Sequence, residues 1–236
     1  MSASADRLVG YELHDSIATI TMDDGKVNVM SLRMFAAINA ALDRAVTDRA
    51  VVVLQGRAGV FSAGFDLAVL RAGGSDAHAM IVTGFRLAER LLSFPTPVVI
   101  ACTGHALAMG VFLVLSADYR IGATGAFKLG ANEVAIGLTV PYFAIELCRH
   151  RLHPSHLNRA VINSEIFSPE AAVQAGFLDQ VVSAAELPAA AQRVATQLRS
   201  LDMPSHIGTK LRTRAATLQI LHDAIEADAA VLSGRH

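Results

Sequence analysis

Three short runs of residues, 50–54, 97–102 and 118–122, constrain the fold of this chain more than any other feature. The first two, ending at Leu54 and Cys102, are apolar on both alternating faces. A strand of that kind has to be covered on both sides, as in a parallel sheet with helices against its two faces. Helical periodicity separates the runs. After Ser31, a side-chain cap, come Met34, Phe35, Ile38, Ala41, Leu42 and Ala45 at helical spacing. A second helix is expected over 76–93, with Ile81, Phe85, Leu87, Leu91 and Leu92 inward, until Phe94 and Pro95 break it. Strand, helix, strand, helix, strand with two-sided strands is the α/β signature.

The flanks complete the pattern. Residues 11–14 and 17–22 read as two strands joined by a hairpin turn at His14, Asp15 and Ser16. Residues 56–64 read as a loop and 110–115 as a short buried helix. Beyond Pro141 helices are expected over 142–151, 154–163, 169–175, 187–201 and 207–232, with a short strand at 178–182. The last helix has Leu211, Ala215, Leu218, Ile220, Leu221 and Ile225 as its apolar stripe. A composition shift near 195–205 suggests a core over 1–200 and a helical arm over 201–236.

Composition narrows the function classes. The chain has 236 residues, 53% hydrophobic and 17% charged, so global disorder is excluded. A net charge of −1 argues against a nucleic-acid partner, which needs clustered Lys and Arg. So apolar a chain also suggests burial between subunits. Cys102 and Cys148 are the two cysteines, and buried free thiols are the default for them. Residues 1–6 are polar, without a signal-peptide apolar stretch. The longest apolar run, 106–117, is too short to span a bilayer. A soluble cytoplasmic protein with no membrane partner is the expectation.

Three segments have the residues for chemistry. Residues 59–67 follow a buried strand, and the small Ser62, Ala63 and Gly64 permit a tight turn with free N–H groups at the next helix start. Such groups can hold a developing oxyanion, although an ordinary turn has the same look. Residues 104–112 repeat this arrangement through Gly104 and Gly110, with ordinary strand-to-helix packing as the plain alternative. Two such turns can aim two backbone donors at one oxygen. In the third segment, 132–141, Glu133 is the one acid between Asp118 and Glu146. In apolar surroundings its carboxyl would have a raised pKa and could act as acid and base in turn. On the residues alone, a solvated loop Glu is the commoner fate.

Taken together, the three segments resemble the crotonase superfamily, the enoyl-CoA hydratase/isomerase group. That family pairs a Phe-Ser-Ala-Gly-x-Asp-Leu loop, here at 61–67, with a later Gly-x-Ala-x-x-x-Gly turn, here at 104–110. An acidic loop ending in Gly-x-x-x-Pro follows, here at 133–141. The Asn28 turn, the 171–181 segment with Gly176 and Asp179, and the helix bearing Lys210 fit as well. The resemblance spans roughly 8–232. It implies an α/β crotonase (ClpP-like) fold of repeated ββα units, with a C-terminal helical trimerisation region. It further implies acyl-CoA substrates, a homotrimer or dimer of trimers, and neither metal nor other cofactor, coenzyme A being part of the substrate.

Residue by residue, the resemblance implies that the backbone N–H groups of Phe65 and Met109 form an oxyanion hole and that Glu133 is the acid/base. Ala63, Gly64, Asp66, Leu67, Gly110, Phe112, Phe143 and Lys210 would meet the substrate. Met109 departs from the family's usual Gly. The two-carboxylate hydratases have a second Glu where this chain has Phe112. A single Glu beside an apolar position looks like the mitochondrial-type Δ3-Δ2-enoyl-CoA isomerases. There one base takes a proton from C2 and returns it at C4, in a dry pocket lined by Met109, Phe112 and Phe143. Hydration of 2-enoyl-CoA by a single-Glu variant is the alternative, and a non-catalytic acyl-CoA-binding protein is a third reading.

Other candidates are weaker. His150, His153 and His156 have a spacing reminiscent of metal ligands, but Pro154 interrupts the helical face and nothing completes the set. His105 suits a hydrogen-bonded histidine, and Glu146 a solvated helix face. Ser62 lacks the Gly-x-Ser-x-Gly context of a hydrolase. Lys210, Arg212 and Arg214 would either meet coenzyme A phosphates from a neighbouring subunit or form an exposed basic face.

Overall fold

The computed structural model describes residues 8–234. It opens with the expected hairpin, β1 (Val9–His14) and β2 (Ile17–Met22), paired antiparallel. Asp15 and Ser16 both take positive φ, 48° and 57°, which suits a two-residue turn to the twist of its strands. After β3 (Val29–Met30) comes α1 (Leu32–Thr47). The Ser31 hydroxyl accepts from the Met34 N–H and caps it, and all six apolar positions read from its periodicity are buried.

The chain continues through β4 (Val51–Gln55), β5 (Gly59–Ser62), β6 (Gly64–Phe65), α2 (Leu67–Ala72) and α3 (Gly74–Leu92). Then come β7 (Val98–Cys102), β8 (Gly104–Leu107), α4 (Met109–Leu115), β9 (Tyr119–Ala123) and β10 (Leu129–Gly130). The remainder is α5 (Tyr142–Arg151), α6 (Pro154–Val161), α7 (Pro169–Ala175), β11 (Gln180–Val182), α8 (Leu187–Arg199) and α9 (Met203–Leu232).

Among the described residues the main sheet has the order β1-β2-β4-β7-β9-β11, and every pairing after the first is parallel. Its central strands are two-sided, as their sequences require. Val52, Leu54, Val98, Ile100 and Cys102 point into the main core with α1, α3 and α4. Val51, Val53, Val99 and Ala101 alternate with them and pack on Leu187, Ala190, Ala191 and Ala195 of α8. No helix among the described residues is long and apolar enough to cross a membrane.

Three expectations change. Residues 56–64 are not simply a loop: β5 pairs parallel with β8, and β6 with β3. These strands owe their existence to distant partners rather than to local alternation. The last helix starts at Met203 instead of 207, because Asp202 caps the Ser205 N–H and Pro204 fits the first turn. Its packed face also differs. Leu221 and Ile225 are buried, but Leu211 and Ile220 are exposed, and Lys210, Ala224 and Asp228 take inward positions.

Candidate active site

Asn28 organises the first turn. It is fully buried at φ 52°, a conformation Asn tolerates better than most residues. Its amide donates to the Met22 and Phe61 carbonyls at 3.0 and 3.1 Å. Its own carbonyl accepts from the Ser62 hydroxyl at 2.8 Å, and that hydroxyl accepts from the Gly64 N–H at 3.0 Å. Ser62 is therefore a structural link that leads into β6, and not a nucleophile.

The second turn docks on the first. Ala108 holds φ 48° and ψ −125° at the start of α4, a strained conformation for a residue with a Cβ. Its N–H donates to the Gly130 carbonyl at 3.1 Å, and its carbonyl accepts from Val111 and Phe112. Met109 is the first residue of α4, so its N–H has no acceptor within the helix. Gly64 sits against this start at φ +94°: a Cβ there would lie 2.8 Å from the Ala108 Cβ and 3.4 Å from the Met109 nitrogen. A Cβ on Gly110 would lie 2.6 Å from the Ser62 carbonyl oxygen. Small residues at 64 and 110 thus let the two turns touch.

Glu133 follows three residues after Gly130, the acceptor of the Ala108 N–H. Its carbonyl accepts from Ile136 at 3.1 Å and Leu138 at 2.9 Å, and Gly137 in the left-handed region closes the short turn Val134–Ile136. This turn leaves Val134, Ile136 and Leu138 outside, while Glu133 is only 7% exposed. Its Oε2 has no hydrogen-bond partner. Burial pushes its carboxyl up to about 7, against a smaller downward pull from its own backbone N–H. The buried Cys148 of α5 is a near neighbour: burial, and then the charge of Glu133, push its thiol up.

The remaining expected residues divide. Met109, Phe112 and Phe143 are all but fully buried in the main core. Phe143 stacks on Phe85 at 4.6 Å, and Phe85 meets the Phe65 ring edge-on at 6.1 Å. These side chains form a packed wall. Ala63 and Leu67 are exposed, whereas the Asp66 carboxylate caps α2 by accepting from Ala68 and Val69. Lys210 requires a correction. Its ammonium donates to the Phe94 and Thr96 carbonyls and pairs with Asp118 at 2.6 Å, which engages all three of its protons. Arg214 pairs with the same carboxylate at 2.9 Å, so these two cations are internal ties and are not free for a phosphate. Arg212 alone of the three is exposed.

The weaker candidates also resolve. His105 accepts from the Lys128 N–H through Nδ1, and Glu146 pairs with Arg149 on a helix face. His150 lies near the Thr217 hydroxyl, and burial with Arg151, Arg214 and Arg120 pushes it down to about 4. His153 and His156 both approach the Ser155 hydroxyl. No group of three potential ligands gathers as a metal site among the described residues.

Of two further polar residues near the site, Asn132 opens the 132–141 segment read from sequence, whereas Asp228 was not singled out there. Asn132 has a buried Oδ1 without a partner beside Glu133. Asp228 of α9 accepts from the N–H groups of Tyr142 and Phe143 at the start of α5, both at 2.9 Å. The available signal was its spacing: an acid three residues after Ile225 falls on the buried stripe of α9.

A model of the enoyl-CoA hydratase/isomerase family matches residues 12–234. The chain is similar to the crystal structure of an enoyl-CoA hydratase/isomerase family protein from Pseudomonas syringae. The two share 49% identity at a TM-score of 0.94, over 96% of this chain and 98% of that one. It is 28% identical to the human mitochondrial enoyl-CoA delta isomerase 1, over 94% of this chain and 75% of the relative. It is 33% identical to a probable enoyl-CoA hydratase of Bacillus subtilis, over 54% of this chain, and that match spans only 50% of the relative.

Proposed function

The chain belongs to the enoyl-CoA hydratase/isomerase family, and on that premise we propose that it moves the double bond of a 3-enoyl-CoA thioester to the 2-position. Glu133 takes the C2 proton as the C2–H bond breaks. The electron pair delocalises onto the thioester oxygen as a dienolate, held by the N–H groups of Phe65 and Met109. Glu133 then delivers the proton to C4, and the double bond settles between C2 and C3. Atoms balance without water, metal or redox group.

One observation carries the reading: Glu133 is a buried carboxyl with an unpartnered oxygen and a pKa near 7, able both to take and to return a proton at neutral pH. Phe112, 1% exposed, is apolar at the position where the family resemblance implies the second carboxylate of the hydratases, and this supports a proton shuttle over hydration. The orphan Oδ1 of Asn132 favours the second reading, single-Glu hydration, because it offers an acceptor for a water beside Glu133. The same reading includes a trimer or dimer of trimers, in which neighbours cover apolar side chains such as Leu211 and Ile220 on α9.

The test supplies 3-enoyl-CoA and 2-enoyl-CoA separately. Isomerisation without hydration supports the proposal, and efficient hydration of 2-enoyl-CoA overturns it. Because the free base must be ionised, kcat/KM for the isomerisation rises with pH and levels above about 7. A profile already flat at pH 5 removes Glu133 as the base. Gly64→Ala tests the oxyanion hole. A methyl at φ +94° and 2.8 Å from the Ala108 Cβ forces the two turns apart. Turnover is expected to fall about a hundredfold, since displacement by about 1 Å suffices for that. Stability should fall by about 1–3 kcal/mol, read from urea unfolding. Unchanged kcat/KM contradicts the placement of the hole.

A further inference from the structure

A carboxylate of the C-terminal helix reaches the start of α5, directly after the Glu133 loop. Pro141 precedes α5 and offers no side-chain cap, so the first N–H groups of that helix depend on a donor's partner from elsewhere. Asp228 supplies it from 86 residues away: Oδ1 accepts from Tyr142, and Oδ2 from Phe143. Asp228 itself is 7% exposed, and these two N–H groups are its recorded partners. The clamped turn begins with Tyr142 and the core wall residue Phe143, and the same helix brings Cys148 near Glu133. At its other end, the stretch containing Glu133 is tied down by Leu129, which pairs with Phe167.

We propose that Asp228 is a positioning residue for the reaction: by clamping the first turn of α5 it holds the apolar wall closed against Glu133 and keeps water from its carboxyl. Its effect on turnover rests on the reading of Glu133 as the acid/base, but its effect on the Glu133 environment does not. The arrangement also ties the start of α5, which follows the acid–base loop, to α9, in addition to the apolar packing of Leu221 and Ile225 in the same core. Burial sets the Glu133 carboxyl, and the titratable group recorded facing it from α5 is the Cys148 thiol. The carboxyl of Asp228, on α9, is itself raised by burial, against the pull of the two N–H groups.

The experiment is a carbon-13 titration of the Glu133 carboxyl in the full-length wild type, Asp228→Ala and Asp228→Asn, with kcat and KM measured on the same proteins. The resonance is identified by its loss in Glu133→Gln. In Asp228→Ala, water entering past the loosened turn should move the Glu133 midpoint down by about one pH unit or more. There kcat should fall about tenfold or more, with KM within about threefold. Asp228→Asn retains one acceptor and should show less than half of each effect. Equal shifts in the two variants identify a distant charge effect and overturn the proposal. An unmoved midpoint with only a lower melting temperature overturns it too, because a purely structural cap predicts that. If Asp228→Ala does not fold, Asp228→Ser, too short to bridge both N–H groups, takes its place. Failure of the wild type to turn over either enoyl-CoA refutes the isomerase and hydratase readings alone, since the titration still decides on Asp228.

Discussion

Glu133→Gln is expected to lower enoyl-CoA turnover by about a thousandfold or more and to leave acyl-CoA affinity nearly unchanged, if Glu133 is the proposed acid/base. The amide has the size of the carboxyl but cannot take a proton, so loss should fall on kcat rather than on binding. Steady-state kinetics beside calorimetric titration with a saturated acyl-CoA separates the two quantities. Turnover within about tenfold of wild type would show that another group moves the proton.

The same substitution has a second, opposite consequence. The folded-state pKa of Glu133 is raised from 4.5 to about 7 by burial. Below pH 4.5 the carboxyl is neutral in both folded and unfolded chains, and its burial incurs no ionisation penalty. As pH rises toward 7, the unfolded chain ionises first and gains stability relative to the folded one. The folded protein therefore loses on the order of 3 kcal/mol over that window, and the loss levels off above about 7. Glutamine does not ionise. The variant should match wild type in urea unfolding at pH 4 and exceed it at pH 8. Equal stability at pH 8 would mean that Glu133 is better solvated than its 7% exposure indicates.

Asp118→Ala is expected to destabilise the fold by about 3–5 kcal/mol, the largest stability effect among these substitutions. The carboxylate accepts from the Val98 N–H at 2.8 Å and pairs with Lys210 and Arg214. Lys210 is 4% and Arg214 11% exposed at the side chain, so removal of the anion strands two cations away from water. Converting Lys210 to Met in the Asp118→Ala background should recover part of the loss, because one stranded charge disappears. Urea unfolding of the single and double variants measures both effects. A cost below about 1 kcal/mol for Asp118→Ala would place the cluster at the surface instead.

Legibility followed the range of the forces involved. Helix α1 was readable to the residue, since its cap and its six buried positions are local properties of one periodic segment. The hairpin and the two-sided strands were readable for the same reason. Strands β5 and β6 were not, because each exists through pairing with a segment far away, β8 and β3. Lys210 shows the limit for the site. It lies beside Leu211 on a helix whose charged and apolar residues are interleaved, and local pattern does not tell which of the two faces inward. The packed structure buries the lysine and exposes the leucine, because Asp118 and two carbonyls complete the cation's shell.

The hairpin, the two-sided strands, the long helices, the glycine-bearing turns and the family to which the chain belongs were determined by the sequence alone, because periodicity, small residues and motif spacing are written locally. Only the tertiary structure decided that Glu133 is buried with a free oxygen, that Gly64 abuts the start of α4, that Lys210 is an internal tie and that Asp228 caps α5. Each of these depends on which distant groups are brought together and on how much water is left between them. Spacing along the chain does not encode that distance, and the acidity of a carboxyl depends on it.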